Sequence, residues 1–283
     1  MTMSDYRAEI GVFGGSGLSE LLGNSQTINI KTPYGKTSDE ITLAEYQGKK
    51  IAFLPRHGKN HSLPPHEIPY LANLYAFKKL GVKRVISPCA SGSLTKEIKP
   101  GDFVINDQFI NFTSGRQDTF FDGKNTEIKL DLYPEHAYKV VHVSSAHPYC
   151  DKMRETAIKA CQKLNIEHHP KGTVVVIQGP RFATISESKF YNQIGGHTIN
   201  MTQYPEVILA KELEMCVVAV SLITDYDVGV QDDPSIKPVD LNTVVEVFNK
   251  NNQKVKELIF EIIKNTDDMK DCPCHKSLES AVW

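Results

Sequence analysis

Apolar residues recur along the chain with two different spacings. Short runs rich in β-branched residues predict strands of a buried sheet at residues 8–13, 51–54, 82–86, 173–177 and 217–223. Helical spacing places Met153, Ala157, Cys161 and Leu164 on one face of a segment, and does the same later for Val244, Phe248, Val255, Ile259 and Ile262. Because predicted strands and helices alternate, the pattern favours an α/β fold with a mixed sheet.

Residues typical of helix starts divide the chain into about six such units without marking a domain boundary. Pro205 suits the first turn of a helix, and Asp240 can cap the start of the last one. Glycine and proline are spread along the chain, and no period of about 20 to 50 residues repeats. We therefore expect a single domain over residues 1–283, with a polar, cysteine-containing tail from about residue 266.

The charge balance indicates a small-molecule partner. The 283 residues carry 32 basic and 34 acidic side chains, a net charge of −2, without the basic blocks that bind nucleic acid. The first ten residues include Asp5, Arg7 and Glu9, where a signal peptide needs an unbroken apolar core, and no run of about 18 apolar residues occurs. We expect a cytoplasmic protein that binds neither nucleic acid nor a membrane.

Six cysteines in a cytoplasmic protein are ordinarily reduced thiols, yet a single proline separates Cys272 from Cys274. Intracellular proteins of hyperthermophiles keep disulfides, so the sequence leaves a bridge open. A metal site would need a second pair of His or Cys ligands, and only His275 lies nearby in the sequence. We therefore expect no metal.

Three glycines and a serine follow the first predicted strand, in the stretch GGSGL of residues 14–18. Glycine lets successive backbone N–H groups converge, and the Ser16 hydroxyl adds a donor, so this loop can hold a phosphate. A tight turn between strand and helix explains the same glycines, because neither the dinucleotide-binding spacing nor a P-loop lysine is present.

Two further loops after predicted strands carry groups suited to an oxyanion. Arg56 presents a planar fork that can pair bidentately, and His57 can donate another hydrogen bond. Residues 87–93, SPCASGS, open the end of a strand into small side chains that let a ligand approach the main chain. A surface turn explains each loop alone. Ligands of open α/β sheets collect at the carboxyl ends of strands, so the three loops together favour a binding site.

Two later motifs, NMTQYPE and TDYD, add groups that suit a sugar and a base. Thr202 lies near a helix N-terminus, which favours an anion, and Met201 offers an apolar surface for a sugar ring, although core packing explains Met201 as well. Asp225 and Asp227 point to one face if their strand continues, and burial would raise their pKa enough to protonate N7 of a departing purine. Exposed Asp residues in a turn are the alternative.

Five motifs occur in an order and spacing typical of one enzyme family: GGSGL, RHG, GPRF at residues 179–182, NMTQYPE and TDYD. Over residues 8–265 the chain resembles the trimeric-type purine nucleoside phosphorylases. The resemblance implies a single α/β domain whose central mixed twisted sheet is flanked by helices. It also implies reversible phosphorolysis, with 5'-methylthioadenosine giving adenine and 5-methylthioribose 1-phosphate. Inorganic phosphate is then a co-substrate, and no metal or organic cofactor is expected.

The resemblance assigns roles to matching positions. Phosphate would be held by Ser16, Arg56, His57, Ala90 and Thr202. Asn200 and Met201 would contact the nucleoside, with Met201 against the ribose, and Phe182 would pack on the base. Asp225 and Asp227 would face the N6 amine and N7, and would be the catalytic residues together with Arg56 and His57. An ionised Asp225 accepts from an amine, whereas members that cleave inosine or guanosine usually have Asn there, so adenine is favoured.

The resemblance also links the 5' end of the nucleoside to the assembly. His142 corresponds to a histidine contributed by a neighbouring subunit, and Val239 and Leu241 would add apolar cover. A borrowed His142 requires a homotrimer or a hexamer of two trimers. The alternatives are a broad purine nucleoside phosphorylase, a methylthioinosine phosphorylase, a hydrolase that uses water, and a nucleoside-binding protein without catalysis.

The chain departs from the family pattern at several positions. Cys89 stands where threonine commonly contacts phosphate, and Ala183 replaces a usual serine. The CPC tail is similar to that of archaeal thermophilic members. On this likeness we expect one bridge between Cys272 and Cys274 and a second between Cys150 and Cys216, with Cys89 left as a free thiol.

Overall fold

The structure, a computed structural model, describes residues 6–14, 25–122, 133, 136, 139–228 and 236–283. Within these ranges the strands are β1 (Ile10–Phe13), β2 (Gln26–Ile28), β3 (Ile41–Tyr46), β4 (Lys49–Leu54), β5 (Arg84–Ser93), β6 (Phe103–Ile105), β7 (Gln108–Phe112), β8 (His168–His169), β9 (Thr173–Ile177), β10 (Thr198–Asn200) and β11 (Cys216–Asp225). The α-helices are α1 (Tyr70–Lys79), α2 (Asp151–Lys163), α3 (Ile185–Gln193), α4 (Gln203–Glu212) and α5 (Leu241–Asn265). Short 3₁₀ helices occupy Lys59–His61, Pro65–Glu67 and Pro273–Lys276.

Strand β5 is the centre of one mixed sheet. It pairs in parallel with β1 through residues 84–86 and with β11 along most of its length, and it pairs antiparallel with β10 at Gly92 and Ser93. Strands β4, β3 and β2 follow β1 outward, β9 and β7 follow β10, and β6 and β8 follow β11. The predicted single-domain α/β fold with a mixed sheet is thus confirmed.

Successive side chains of a buried strand point to opposite faces of the sheet, so both faces are apolar and both are covered by helices. Ile10 and Val12 of β1 point into the core that contains α2 and α5, whereas Phe13 packs against Phe77 of α1 with ring centroids 5.0 Å apart. Helix α4 shares the face of α1 through residues such as Leu209. Among these helices, none in the described part of the chain is long and apolar enough to cross a bilayer.

The predicted helix in the last long segment is confirmed, but only part of its apolar face is buried. Asp240 caps α5 as expected, accepting a hydrogen bond from the Thr243 N–H at 3.0 Å. Val255 and Ile259 are buried, whereas Phe248 is 38 % exposed. The first turns of α5 therefore lack cover from the described residues of this chain.

Strand β5 corrects the expectation that the chain opens into a loop after residue 86. The strand continues to Ser93, because its backbone pairs with β11 from Arg84 to Gly92 despite the small, weakly strand-forming residues. Tyr204 at the start of α4 has non-helical dihedral angles, so the regular helix begins at Pro205, as predicted.

Both predicted disulfides are absent, since all six cysteines of the chain carry free thiols. Cys150, Cys216, Cys272 and Cys274 nevertheless lie close together, with their sulfurs within 4.8 Å of one another. Cys89 is a free thiol, as expected.

Candidate active site

Four segments that are far apart in the sequence meet where β5 runs between β10 and β11. The loop after β4 brings Arg56 to the Ser87 hydroxyl at 2.9 Å. The end of β10 brings the Asn200 amide to 3.4 Å from the Cys89 sulfur. The end of β11 places Asp225 against Gly92, where an added Cβ would lie 2.8 Å from the carboxylate. The exposed Ala90 lies in the same stretch of β5.

Arg56 is held by a buried carboxylate on α4. Its Nε donates to Glu206 Oε2 at 2.6 Å, and its Nη2 donates to Glu206 Oε1 at 2.9 Å. Arg56 is 7 % and Glu206 1 % exposed, and the guanidinium also lies 4.8 Å from the centre of the Phe13 ring. Burial opposes the positive charge, but the Glu206 carboxylate prevails and raises the pKa of Arg56 above its usual value.

This pairing corrects the expected bidentate contact of Arg56 with an oxyanion. The fork formed by Nε and Nη2 is occupied by Glu206 and Ser87, and one Nη1 hydrogen is directed at the Pro88 carbonyl at 3.1 Å. Only the second Nη1 hydrogen has no acceptor among the described residues. Arg56 can therefore offer a ligand one N–H group and its positive charge.

His57 is a neutral ring in this environment. Its Nδ1 lies 2.9 Å from the Leu63 carbonyl, and its ring stacks on His61 with centroids 4.1 Å apart. Burial lowers the pKa of His57 to about 4. Because a carbonyl oxygen only accepts, Nδ1 must carry the proton, which leaves Nε2 as an acceptor. His57 can thus accept a hydrogen bond from a ligand, whereas the sequence predicted a donor.

A polar network lies beneath the candidate site. The Cys89 sulfur is 3.2 Å from the Gln203 amide nitrogen and 3.4 Å from the Ser221 hydroxyl. Ser91 donates to Ser221 at 3.1 Å, and Ser221 donates to Asn106 at 2.7 Å. These buried hydroxyls and amides hold one another in place, so the floor of the site is preorganised.

The turn between β10 and α4 supplies groups that remain available to a ligand. Asn200 is 6 % exposed, and its buried Oδ1 has no hydrogen-bond partner among residues 6–14, 25–122, 133, 136, 139–228 and 236–283. The half-buried Met201 lies close to Gly179, where an added Cβ would be 2.5 Å from the sulfur. Thr202 is the N-cap residue of α4, and its side chain makes no capping hydrogen bond to this helix. The predicted position of Thr202 at a helix N-terminus is confirmed.

Asp225 and Asp227 are buried at the carboxyl end of β11. Asp225 accepts hydrogen bonds from the Thr224 hydroxyl and the Asp227 N–H, both at 2.7 Å. Asp227 follows the end of the strand with a positive φ of 48°, and its buried Oδ2 has no hydrogen-bond partner in the part of the chain that the structure describes. Burial raises the pKa of both carboxyl groups. A carboxyl group with a raised pKa keeps its proton at a higher pH than usual, so the pair can combine a proton donor with an acceptor.

An apolar wall adjoins the two carboxylates. It contains the buried Ile177, Ala183 and Val228, with Met201 and Val239 packed against it. The Val239 N–H donates to the Asp227 carbonyl at 3.3 Å, so the predicted apolar cover lies next to the acidic pair. Beside this wall, a cavity of about 270 Å³ is lined by Phe112, Ile177, Gln178, Gly179, Arg181, Glu187 and Tyr191.

Three predicted residues are not brought into this arrangement. Phe182 immediately precedes Ala183 of the apolar wall in the sequence, but its side chain is 39 % exposed. His142 has an exposed side chain, and its N–H donates to the Ala281 carbonyl at 2.8 Å, beside the C-terminal segment. Leu241 is 66 % exposed at the start of α5. The predicted loop with Ser16 lies outside the described residues.

Sequence reasoning missed two residues that position the site. Glu206 stands inside the NMTQYPE motif and directly before the apolar run at residues 207–210, and an acidic residue at the edge of such a run is a signal that a buried cation needs a partner. Arg116 donates to the carbonyls of Met201 at 3.0 Å and Gln178 at 2.8 Å, and so ties two site loops together. Nothing in the sequence around Arg116 indicates this role.

Comparison with known proteins identifies the family. The model of the phosphorylase superfamily matches residues 9–264. The chain belongs to the phosphorylase superfamily. Membership in this superfamily confirms the resemblance inferred from the five motifs, and the matched range contains each of the four segments that form the candidate site.

Relatives within the superfamily match over nearly the whole chain. S-methyl-5'-thioadenosine phosphorylase of Thermofilum pendens is 43 % identical over 278 residues, which cover 98 % of this chain and 99 % of the relative. The protein of the same name from Saccharolobus solfataricus is 41 % identical over the full length of both chains.

Solved structures show the same fold. A methylthioadenosine phosphorylase sourced from an antarctic soil metagenomic library is 35 % identical, with a TM-score of 0.85 over 98 % of this chain and 93 % of the other. Methylthioadenosine phosphorylase from Schistosoma mansoni, in complex with adenine, is 31 % identical, with a TM-score of 0.87 over 98 % and 99 % of the two chains.

Proposed function

We propose that this protein catalyses the reversible phosphorolysis of 5'-methylthioadenosine to adenine and 5-methylthioribose 1-phosphate. The observation that carries the proposal is the buried pair Asp225 and Asp227, which adjoins an apolar wall and leaves the Asp227 Oδ2 without a partner among the described residues. A purine with an exocyclic amine supplies the missing donors. The family and the names of the relatives point to the same reaction.

Phosphate would bind on the side of the site that contains Arg56. The free Nη1 hydrogen of Arg56, the Thr202 hydroxyl at the start of α4 and the backbone around Ala90 are suited to its oxygens. His57 would accept from a protonated phosphate oxygen through Nε2. Ser16 would complete the phosphate site from the glycine-rich loop.

The reaction exchanges one bond of the anomeric carbon for another. A phosphate oxygen forms the new C–O bond while the C–N9 bond breaks and its electron pair passes to the purine. Asp225 or Asp227, whose pKa is raised by burial, donates the proton that N7 then needs. The phosphate dianion also stabilises the cationic character that develops on the ribose, and Met201 packs against that ring.

The acidic pair favours adenine over a 6-oxopurine. An ionised Asp accepts from the N6 amine, whereas a carbonyl at that position would face it without a donor. One such buried mismatch costs about 1–3 kcal/mol, which is about one to two decades in rate. Phe182, exposed in the single chain, would pack on the base, and the unpartnered Asn200 Oδ1 would accept from the nucleoside.

The assembly would complete the site at the 5' end. Exposed apolar side chains near the site are typical of a subunit interface: Phe112, Phe182, Ile185, Phe190 and Ile194, together with Leu241, Val245 and Phe248 of α5. A homotrimer, or a hexamer of two trimers, would bring the exposed His142 of one subunit to the methylthio group beside Val239 of another. The reaction needs phosphate and no further cofactor, and we place the enzyme in the cytoplasm.

Base release from four nucleosides tests this function. The purified protein is given methylthioadenosine, adenosine, inosine and methylthioinosine, each with and without inorganic phosphate, and release of the base is followed by chromatography. We expect methylthioadenosine to be cleaved fastest and release to cease without phosphate. Faster cleavage of inosine would refute the substrate, and undiminished release without phosphate would show a hydrolase.

A further inference from the structure

Four cysteines from three distant segments converge away from the candidate active site. Cys150 immediately precedes α2, Cys216 begins β11, and Cys272 and Cys274 flank Pro273 near the C-terminus. Their sulfur atoms all lie within 4.8 Å of one another, and the Cys150 and Cys272 sulfurs are 3.5 Å apart. Cys150, Cys216 and Cys272 are buried and Cys274 is half-buried. The proposed phosphorolysis uses none of them.

The spacing of these sulfurs fits a tetrahedral metal site. In a tetrathiolate zinc site each Zn–S bond is about 2.3 Å, which places neighbouring sulfurs about 3.8 Å apart. A disulfide bond would require about 2.05 Å. The Cys150–Cys272 separation of 3.5 Å is close to the tetrathiolate spacing, and no pair is more than 4.8 Å apart, so a cation at the centre needs only small movements of the four side chains.

We propose that Cys150, Cys216, Cys272 and Cys274 bind one structural Zn²⁺ ion. The donor set is closed, with four thiol ligands and no position for water, as in structural rather than catalytic zinc sites. Zinc binding replaces the four thiol protons, which pass to the solvent, and it involves no oxidation. The sequence alone suggested too few ligands because Cys150 and Cys216 are brought to the CPC motif only by the fold.

The surroundings of the cluster suit thiolate ligands. Cys150 lies at the N-terminus of α2, a helix of 13 residues whose dipole stabilises a negative charge there. His275 Nδ1 is 2.9 Å from the Glu214 carbonyl, which fixes the ring, and its Nε2 is 3.8 Å from the Cys216 sulfur.

The metal would fasten the C-terminal segment to the body of the protein. Cys150, Cys216 and Cys272 belong to the hydrophobic core on the face of the sheet covered by α2 and α5. The residues after Cys274 reach the core on the other face, where Leu278 and Ala281 are buried. The Ala281 carbonyl accepts from the His142 N–H, and Val141 pairs with Val282. The zinc would thereby hold in place the segment that carries His142.

Zinc content and thiol content together test the proposal. Protein is purified from cells supplied with zinc, in metal-free buffer without reductant, and zinc per chain is measured by mass spectrometry. Thiols are then counted after unfolding with a chelator. We expect about one Zn²⁺ per chain and six titratable thiols. Two thiols and no zinc would mean that the cluster holds two disulfides, and six thiols without zinc would mean an empty cluster. Either result overturns the proposal.

Matched variants locate the ion. The double variant Cys272→Ser/Cys274→Ser should bind at least about tenfold less zinc per chain than the wild type. Cys161→Ala removes a buried cysteine outside the cluster and should retain the wild-type zinc content. Cobalt substitution of the wild-type protein should give the charge-transfer absorption of a tetrathiolate, a readout that does not depend on the folding of any variant. Equal zinc in the double variant, or a cobalt spectrum without thiolate bands, would contradict the site.

Discussion

The two sides of the candidate site treat their polar groups in opposite ways. On the arginine side, defined by Arg56, Glu206 and Ser87, almost every donor and acceptor is satisfied within the protein. On the carboxylate side, defined by Asn200, Asp225 and Asp227, two buried acceptor atoms have no partner within the described part of the chain. A buried polar group without a partner costs free energy. The first side is therefore built for rigidity, and the second is completed by the nucleoside.

We expect substitutions on the two sides to have opposite effects on stability and activity. Substitutions on the arginine side should damage the folded protein before a ligand binds. Substitutions on the carboxylate side should damage turnover or specificity while leaving the fold intact. A result that reverses this order would show that the two sides have been misassigned.

The largest expected effect is on turnover of the Asp227→Asn variant. Loss of a carboxyl that can transfer a proton to or from the base lowers kcat by about 10²- to 10⁴-fold. Its stability at pH 7 should not fall, because burial raises the pKa of Asp227 and so the ionised carboxylate destabilises the folded protein. Steady-state kinetics and urea unfolding measure the two effects. Asp268→Asn, at an exposed carboxylate in the tail, is the control and should change neither.

The Glu206→Gln variant should show the reverse pattern on the arginine side. It leaves the buried Arg56 guanidinium without its counter-charge, which costs about 3–5 kcal/mol of unfolding free energy. Urea unfolding measures the loss. Adding Arg56→Met to this variant removes the unpaired charge and should restore part of the stability. If the double variant is less stable than Glu206→Gln alone, the ion pair does not account for the effect.

The unfolding free energy of the protein should depend on pH through His57, which follows Arg56 in the chain. Burial lowers the pKa of His57 to about 4, so between pH 6.5 and pH 4 the unfolded chain binds a proton that the folded protein does not. Stability from this group is complete above pH 6.5 and falls as the pH drops, by up to about 3 kcal/mol. Unfolding curves across this range should show a smaller loss for His57→Gln. The exposed His147→Gln should retain the wild-type slope.

The smallest expected effect is a change of base preference in Asp225→Asn. An amide can donate to a 6-oxo group, which an ionised carboxylate cannot, so the ratio of kcat/KM for methylthioinosine to that for methylthioadenosine should rise about 10- to 100-fold. Asp227→Asn provides the comparison within the pair. If this ratio rises more in Asp227→Asn than in Asp225→Asn, then Asp227 rather than Asp225 contacts position 6 of the base.

The sequence predicts those secondary-structure elements whose formation depends on residues close to one another in the chain. Residues 173–177 form a strand as expected from their β-branched run, and Asp240 caps α5 because a cap acts within one turn. The length of β5 could not be predicted, since its small residues are held by pairing with β11, more than 100 residues later.

The candidate site likewise has features that the sequence predicts and features that depend on contacts between distant residues. The motifs around Arg56 and Asp225 mark groups that can bind an anion or a base, and the structure brings their segments together. The occupation of the Arg56 fork by Glu206 joins residues 150 positions apart, and the neutral ring of His57 follows from burial. Both corrections arise from contacts made only after folding.

Gly92 sets a limit on redesign of this protein. A methyl group at that position would meet Asp225 Oδ1 at 2.8 Å, and Ile199 stands at 3.1 Å on another side. Libraries that seek a new nucleobase by varying residue 225 should therefore keep residue 92 free of a side chain. Replacements at residue 225 that match the size of Asp will be accommodated, whereas bulkier ones will press against Gly92.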